Sequence, residues 1–161
     1  MFDWIKEILN PPPKVELDDP YFGRIVFAPK VQAWTCQMQN PLSENQLYVY
    51  LDEANIEGPS EFHRTKMQQL IEKFPQLQSK INQRLFQEWN QFRSALDTTE
   101  DWFHKFDLPD KVNEVFSLYS IRIRRTEIIL AYFYDVDIWP DGSVWLIIDE
   151  SWNVEYGGSD D

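Results

Sequence analysis

An apolar stripe with helical spacing runs through the middle of the chain and constrains the fold more than any other feature. Pro75 interrupts the stripe, and because proline lacks an amide hydrogen and clashes with the preceding turn, we expect one helix to end there and a second to begin. The middle of the chain is therefore predicted to form a helical hairpin. The apolar positions recur every three or four residues, at Met67, Leu70, Ile71, Phe74, Leu77, Ile81, Leu85, Trp89, Phe92 and Leu96.

Strand-like segments stand on both sides of this helical region. They are rich in β-branched and aromatic residues, and turn sequences separate them, so neighbouring strands are expected to pair antiparallel. The predicted fold class is α+β: a mainly antiparallel sheet of about six or seven strands with a central helical hairpin and a short N-terminal helix. The segments are residues 21–28, 31–38, 47–51, 115–124, 127–135, 143–148 and 152–156.

The 161 residues are close to the commonest size of a single domain, and we predict one domain over residues 1–161. Apolar residues at helical spacing predict a leading helix over residues 1–10, and the three prolines that open residues 11–17 indicate an extended spacer. Residues 18–158 form the predicted α+β core, and residues 159–161 a loose tail.

Composition and charge narrow the class of protein. Aromatic residues make up 16% of the chain, so it should fold unaided. It has a single cysteine, and its sequence shows neither a secretory leader nor a long apolar run. These features predict a soluble, cytoplasmic protein of the bacterial kind without membrane contact. The net charge is −12, with 15 acidic and 5 basic residues in 97–161. Such a field repels nucleic acid and favours a basic protein partner, although acidic surface also serves solubility alone.

Catalytic and metal motifs are weak. His63 and His104 are far apart in sequence and are expected at the surface, while Cys36 is expected to be a packed thiol. We therefore predict no catalytic residue, no metal site and no cofactor.

One acidic cluster near the end of the chain allows an alternative. Asp135, Asp137 and Asp141 lie close together in sequence, but their spacing does not fit a calcium loop. They could act as a general acid and base or hold Mg²⁺ in a hydrolase or metal-dependent enzyme, whereas acidic hairpin ends are usually only solvated.

Tryptophans in or beside the predicted strands suggest a second use of the same region. Interfaces concentrate binding energy in aromatic anchors, so tryptophans within an acidic rim would suit a basic protein surface, although a tryptophan-rich core is the simpler explanation for any one of them. The residues predicted to bind a partner are Asp135, Asp137, Trp139, Asp141 and Trp145.

The segment Leu17-Asp18-Asp19-Pro20-Tyr21-Phe22-Gly23-Arg24, followed by a strand and Trp34, resembles the Asp-Pro-x-x-Gly opening of a group of uncharacterised small bacterial domains. The order of elements over residues 18–158 is also similar, but Asp141-Gly142-Ser143 stands where a Gly-His pair is usual. Members of such groups occur among the acidic immunity proteins that neutralise bacterial toxins. The resemblance implies an immunity-type inhibitor that occludes a basic effector, and it transfers no functional residues.

Overall fold

The computed structural model describes residues 14–42, 45–95, 108–134 and 142–160. They form one sheet of eight strands and one long helix, with a short 3-10 helix before the fifth strand. The predicted leading helix over residues 1–10 lies outside the described residues. The elements are β1 (Glu16–Asp19), β2 (Gly23–Ala28), β3 (Ala33–Gln39), β4 (Gln46–Leu51), α1 (Glu61–Ala95), the 3-10 helix (Pro109–Glu114), β5 (Phe116–Ile123), β6 (Glu127–Tyr134), β7 (Ser143–Asp149) and β8 (Val154–Asp160).

The eight strands lie in the sheet in the order in which they occur along the chain. Each pairs antiparallel with its neighbours, except that β4 and β5 pair parallel. A parallel pair needs a crossover from one end of the sheet to the other, and α1 makes that crossover. The predicted arrangement of a helical insertion between two groups of antiparallel strands is thus confirmed.

The core lies between α1 and one face of the sheet. Alternate strand residues point to the same face, and rows of apolar side chains cross the strands under the helix. One such row joins Cys36, Val49, Ile121, Leu130 and Leu146 through neighbouring register pairs. All five side chains are buried.

The predicted helical hairpin is wrong, because α1 continues through Pro75 as one helix of 35 residues. The stripe on both sides of the proline faces the core, with Met67 and Leu70 before it and Leu77 and Ile81 after it all buried. Packing along the whole stripe outweighs the hydrogen bond that proline cannot make. Pro75 itself is exposed, so its ring displaces no core side chain.

The sheet has one strand more than the six or seven predicted. The missed strand, β1, is short and carries three acidic residues, and it forms because its backbone pairs with β2 at the edge of the sheet. Residues 16 and 17 therefore belong to the sheet rather than to the predicted spacer. At the other edge β8 continues to Asp160, where the sequence suggested a loose tail from residue 159.

The sheet has two ends, the Tyr134 end and the Asp52 end. At the Tyr134 end, β3, β6 and β8 finish and β4, β5 and β7 begin, as the pair Phe116–Tyr134 indicates. At the opposite end, the Asp52 end, Asp52 follows β4 and precedes α1. Across the described ranges, no helix combines the length and the apolar character needed to cross a bilayer.

Candidate functional site: the open face of the sheet

The face of the sheet opposite α1 is called the open face. None of the described elements packs against it, although it carries several aromatic and aliphatic side chains. Strand alternation produces this composition, because each strand directs every second residue away from the helix. In register, the open face holds Thr35, Gln37, Tyr48, Tyr50, Ser120, Arg122, Ile129, Ala131, Phe133, Trp145, Ile147 and Glu155.

Three aromatic side chains stand out on the half of the open face nearer the Tyr134 end. Tyr48 is 49% exposed and Phe133 is 40% exposed. The register of β5 and β6 shifts at Tyr119, and this β-bulge lets Tyr119 stack on Phe133, with ring centroids 3.5 Å apart and planes 11° apart. We call Tyr48, Tyr119 and Phe133 the aromatic row.

A groove of about 330 Å³ lies beside the aromatic row. Its floor is low because Ser120 and Ala131, two small residues, pair across β5 and β6. Larger side chains rise around them, with Tyr50 on one side and Trp145 on the other. The groove is thus a shallow, mostly apolar depression of the size that accepts one large side chain of a partner.

The arginines that border the groove are already paired. Asp52 accepts hydrogen bonds from Arg124 at 3.0 Å and lies 3.5 Å from the Nε atom of Arg122, which also stands over the ring of Tyr50. Arg124 donates a second hydrogen bond to Glu127 at 2.7 Å. These carboxylate contacts raise the pKa of Arg124 and neutralise the two arginines that border the groove.

One acidic stretch of sequence follows β6 at the Tyr134 end. Residues 135–141 include three aspartates and no basic residue. They follow β6 and precede β7, and the amide of Tyr134 donates to the carbonyl oxygen of Gly142 at 3.1 Å, so the two residues that flank them lie together next to Phe133 of the aromatic row. Of the four acidic residues in 142–160, Asp160 pairs with Ser143 at this end, whereas Asp149, Glu150 and Glu155 lie toward the Asp52 end.

Of the predicted partner-binding residues, Trp145 is the one the structure describes. It lies half-buried in β7 on the open face. Asp135, Asp137, Trp139 and Asp141 lie outside the described residues, and their part in a site stays a prediction. The same holds for the alternative enzyme, which depends on the three aspartates of that group.

The aromatic row is not among the residues predicted from the sequence, although one signal for it is present there. In β4, Leu47, Val49 and Leu51 alternate with Tyr48 and Tyr50, which is the pattern of a strand with one buried face and one open aromatic face. The stacking of Tyr119 on Phe133 gives no such signal, because it depends on a bulge.

Several candidate residues have structural roles instead. Trp34 is fully buried, and its indole N–H donates to the carbonyl oxygen of Asn55 at 2.7 Å. His63, expected at the surface, is fully buried in α1. Cys36 is buried as expected, and burial raises its pKa to about 11, so it is a poor thiolate nucleophile at neutral pH.

Within the ranges given above, no group of three or more His, Cys, Asp or Glu side chains is arranged to hold a metal ion. Comparisons of the chain with protein families, with curated proteins and with solved structures gave no match.

Proposed function

We propose that this chain is a non-enzymatic protein-binding domain whose open face receives a basic protein partner. The resemblance of its opening motif makes an immunity-type inhibitor, which occludes a basic bacterial effector, the specific form of this role.

The observation that carries the proposal is the exposed aromatic row beside the groove. Tyr48 and Phe133 leave 49% and 40% of their side chains in water, and burying the remaining half of such a side chain contributes about 1 kcal/mol. Aromatic anchors around a depression are also the usual centre of binding energy in protein interfaces. A partner that seats a side chain over Ala131 would contact the row and Trp145 together.

Charge supports a basic partner. Tyr134 and Gly142, the residues that flank the acidic sequence 135–141, lie next to the aromatic row, and the arginines at the other end of the face are neutralised by Asp52 and Glu127. The field at this face therefore attracts positive charge, which raises the rate of association more than it lengthens the life of the complex.

A capture experiment with matched variants tests the proposal. The chain is immobilised as wild type, as Tyr48→Ala/Phe133→Ala, and as Gln68→Ala/Gln76→Ala, a control pair on the exposed side of α1. Basic proteins from a bacterial extract should be retained by the wild type and the control. The open-face variant should lose them, with a dissociation constant raised by about 30-fold or more.

The salt dependence of association supplies a second measurement on any protein captured in this way. The association rate constant should fall steeply as ionic strength rises, because exposed charges are screened within about 10 Å at 0.1 M salt. A partner that binds the open-face variant as well as the wild type, or associates at a rate independent of salt, would contradict the proposal.

A further inference from the structure

The free edge of β8 is a second feature that could bind a partner, through main-chain hydrogen bonds. β8 hydrogen-bonds to β7 on one side, and in the part of the chain that the structure describes no strand pairs with its other side. The strand is seven residues long, and its residues Glu155, Tyr156 and Gly157 are exposed. An exposed edge of this length offers unpaired backbone donors and acceptors to another chain.

The opposite edge of the sheet is less suited to pairing. β1 has four residues, its Asp19 is buried, and Glu16 is held by an ion pair with Arg24. Short, charged edges of this kind resist the addition of a strand. β8 lacks such protection along its middle, where Gly157 and Gly158 have no side chains to shield the backbone.

Space for an added strand exists beside β8. The helix reaches β8 at its first residue, where Arg84 donates to the carbonyl oxygen of Val154 at 3.3 Å. A groove of about 480 Å³ lies between α1 and this part of the edge, bordered by Arg84, Gln87, Asn153 and Glu155. A strand laid along β8 would enter this groove at one end and pass the glycines at the other.

From these contacts and the proposed function, on which this step rests, we infer that an extended segment of the partner adds to β8 as a ninth strand. The segment carries Lys or Arg opposite Glu155 and a large apolar side chain over Gly157 and Gly158.

The side-chain pattern follows from what each face of β8 presents. Glu155 lies on the open face, in register with Ile147, and its exposed carboxylate favours a cation opposite it on the added strand. An ideal Cβ on Gly158 would lie 3.2 Å from the ring of Trp145. At the two glycines, the surface of β8 therefore consists of main-chain atoms next to the indole ring. A large side chain on the added strand can cover that surface, as aromatic residues do opposite strand glycines.

The residues of the added strand that point to the helix side of the sheet should differ in charge from those on the open face. Lys80 and Arg84 border the groove there, so neutral or acidic side chains are favoured on that side of the added strand. A second copy of this chain fits poorly, because two β8 strands would bring Glu155 of one copy near acidic residues of the other and join two molecules of net charge −12.

The probe is a synthetic peptide in which every second residue is threonine. The residues between the threonines are arginine, tyrosine and arginine, in that order. Its binding to the full chain is measured by fluorescence anisotropy, and hydrogen exchange of the β8 amides is followed with and without it. We expect slower exchange in residues 154–159. Glu155→Lys should weaken binding by about five- to tenfold, whereas Glu150→Lys, the same charge change in the β7–β8 turn, should alter it by less than about twofold.

N-methylation of the peptide separates strand addition from other modes of binding. Methyl groups on one alternating set of amides should abolish binding, and methyl groups on the other set should be tolerated, because only one set faces β8. Equal effects of both sets, unchanged exchange in β8, or a dimer of the free chain that Glu155→Lys dissolves would each overturn the inference.

The two proposals fail in different ways. If a captured partner depends on Tyr48 and Phe133 but is insensitive to Glu155→Lys and leaves exchange in β8 unchanged, strand addition is wrong and the binding role of the open face stands. If the peptide adds to β8 while no partner depends on the aromatic row, the proposed use of the open face is wrong.

Discussion

The Nε2–H group of His63 donates a hydrogen bond to the main-chain oxygen of Asp52, 2.7 Å away, and this contact fixes the start of α1 against the end of β4. On the other side of the ring, Nδ1 accepts from the amide of Ser60 at 3.1 Å. Because a carbonyl oxygen only accepts and an amide only donates, the ring must be neutral with its proton on Nε2. The Asp52 carboxylate meanwhile holds Arg122 and Arg124, so one residue links the helix to the border of the groove.

The first prediction concerns acid sensitivity at His63. Burial lowers its pKa and outweighs the hydrogen bond to Asp52, so the unfolded chain binds a proton at a higher pH than the folded chain does. The contribution of His63 to the free energy of unfolding should therefore be constant well above pH 6.5 and fall as the pH drops below about 6.5, by up to about 1.4 kcal/mol per pH unit, until the lowered pKa is reached.

Denaturant unfolding of the wild type and of His63→Gln, both in a His104→Gln background, measures this effect. The difference in unfolding free energy between the two proteins should shrink between about pH 7.5 and about pH 5.5, because the glutamine does not titrate. A difference that stays constant over this range would mean that the buried imidazole accepts a proton without cost.

The second prediction concerns Pro75. Its nitrogen cannot donate to the carbonyl oxygen one turn earlier, and its ring is exposed, so Pro75→Ala should restore a helix hydrogen bond without leaving a cavity. We expect the free energy of unfolding to rise by about 1–2 kcal/mol, since part of the gain is offset by the greater freedom of the unfolded chain.

The neighbouring variant Gln76→Ala is the control, also exposed in α1, and should change stability by less than about 0.5 kcal/mol. A destabilised Pro75→Ala protein would indicate that the ring shapes the contact of α1 with the sheet.

Pro75 also illustrates what the sequence could and could not predict. The apolar spacing correctly predicts which residues of α1 face the core, because that spacing is the cause of the packing. Whether a proline ends a helix depends on the energy of contacts on both sides of it, which local sequence does not contain. The same limit applies to β1, whose acidic residues have little strand preference and are held by pairing with β2.

The open face was predictable in part. The alternation in β4 identifies Tyr48 and Tyr50 as open-face residues, and Trp145 was anticipated as a strand tryptophan near an acidic segment. The stack of Tyr119 on Phe133 was not, because it follows from a one-residue register shift between β5 and β6. The groove over Ser120 and Ala131 likewise depends on that register rather than on any local pattern.

The third prediction compares a buried ion pair with an exposed one. Asp19 is buried and accepts hydrogen bonds from Arg64 at 2.5 Å and from the amides of Tyr21 and Phe22 at 2.9 and 3.0 Å. Burial alone would raise the pKa of Asp19, but these donors outweigh it and hold the pKa below 3.8. Its contribution to stability is therefore present above that value and is lost as the pH falls through the lowered pKa.

Removal of the carboxylate should leave the two amides without partners and the partly buried guanidinium of Arg64 with only Glu61 and the carbonyl oxygen of Pro59 as acceptors. Asp19→Ala is expected to cost about 3–5 kcal/mol in urea unfolding at neutral pH, and Asp19→Asn less, because the amide oxygen can still accept from the backbone. Glu16→Gln, which alters the pair with the 73% exposed Arg24, should leave the free energy of unfolding nearly unchanged. Equal costs at both sites would contradict a special role for Asp19.

The fourth prediction concerns the two adjacent glycines of β8, Gly157 and Gly158. A Cβ on Gly157 would lie 2.9 Å from Cγ1 of Ile147, and a Cβ on Gly158, whose φ is +150°, would lie 3.2 Å from the ring of Trp145. Gly23 has a positive φ of +72° but open space around it, so Gly23→Ala should cost only the backbone strain of about 1 kcal/mol. Gly157→Ala and Gly158→Ala should each cost about 2–3 kcal/mol, measured by thermal or denaturant unfolding.

The two glycines should respond differently to a second substitution. Ile147→Ala removes two of the three atoms that meet a side chain at residue 157, so it should recover part of the loss in Gly157→Ala but none of the loss in Gly158→Ala, where the positive φ remains. If Ile147→Ala rescues neither variant, the remaining contact at residue 157, the main-chain oxygen of Trp145 at 3.2 Å, is what requires glycine. In that case the close approach of β8 to the side chain of Ile147 would not be what selects it.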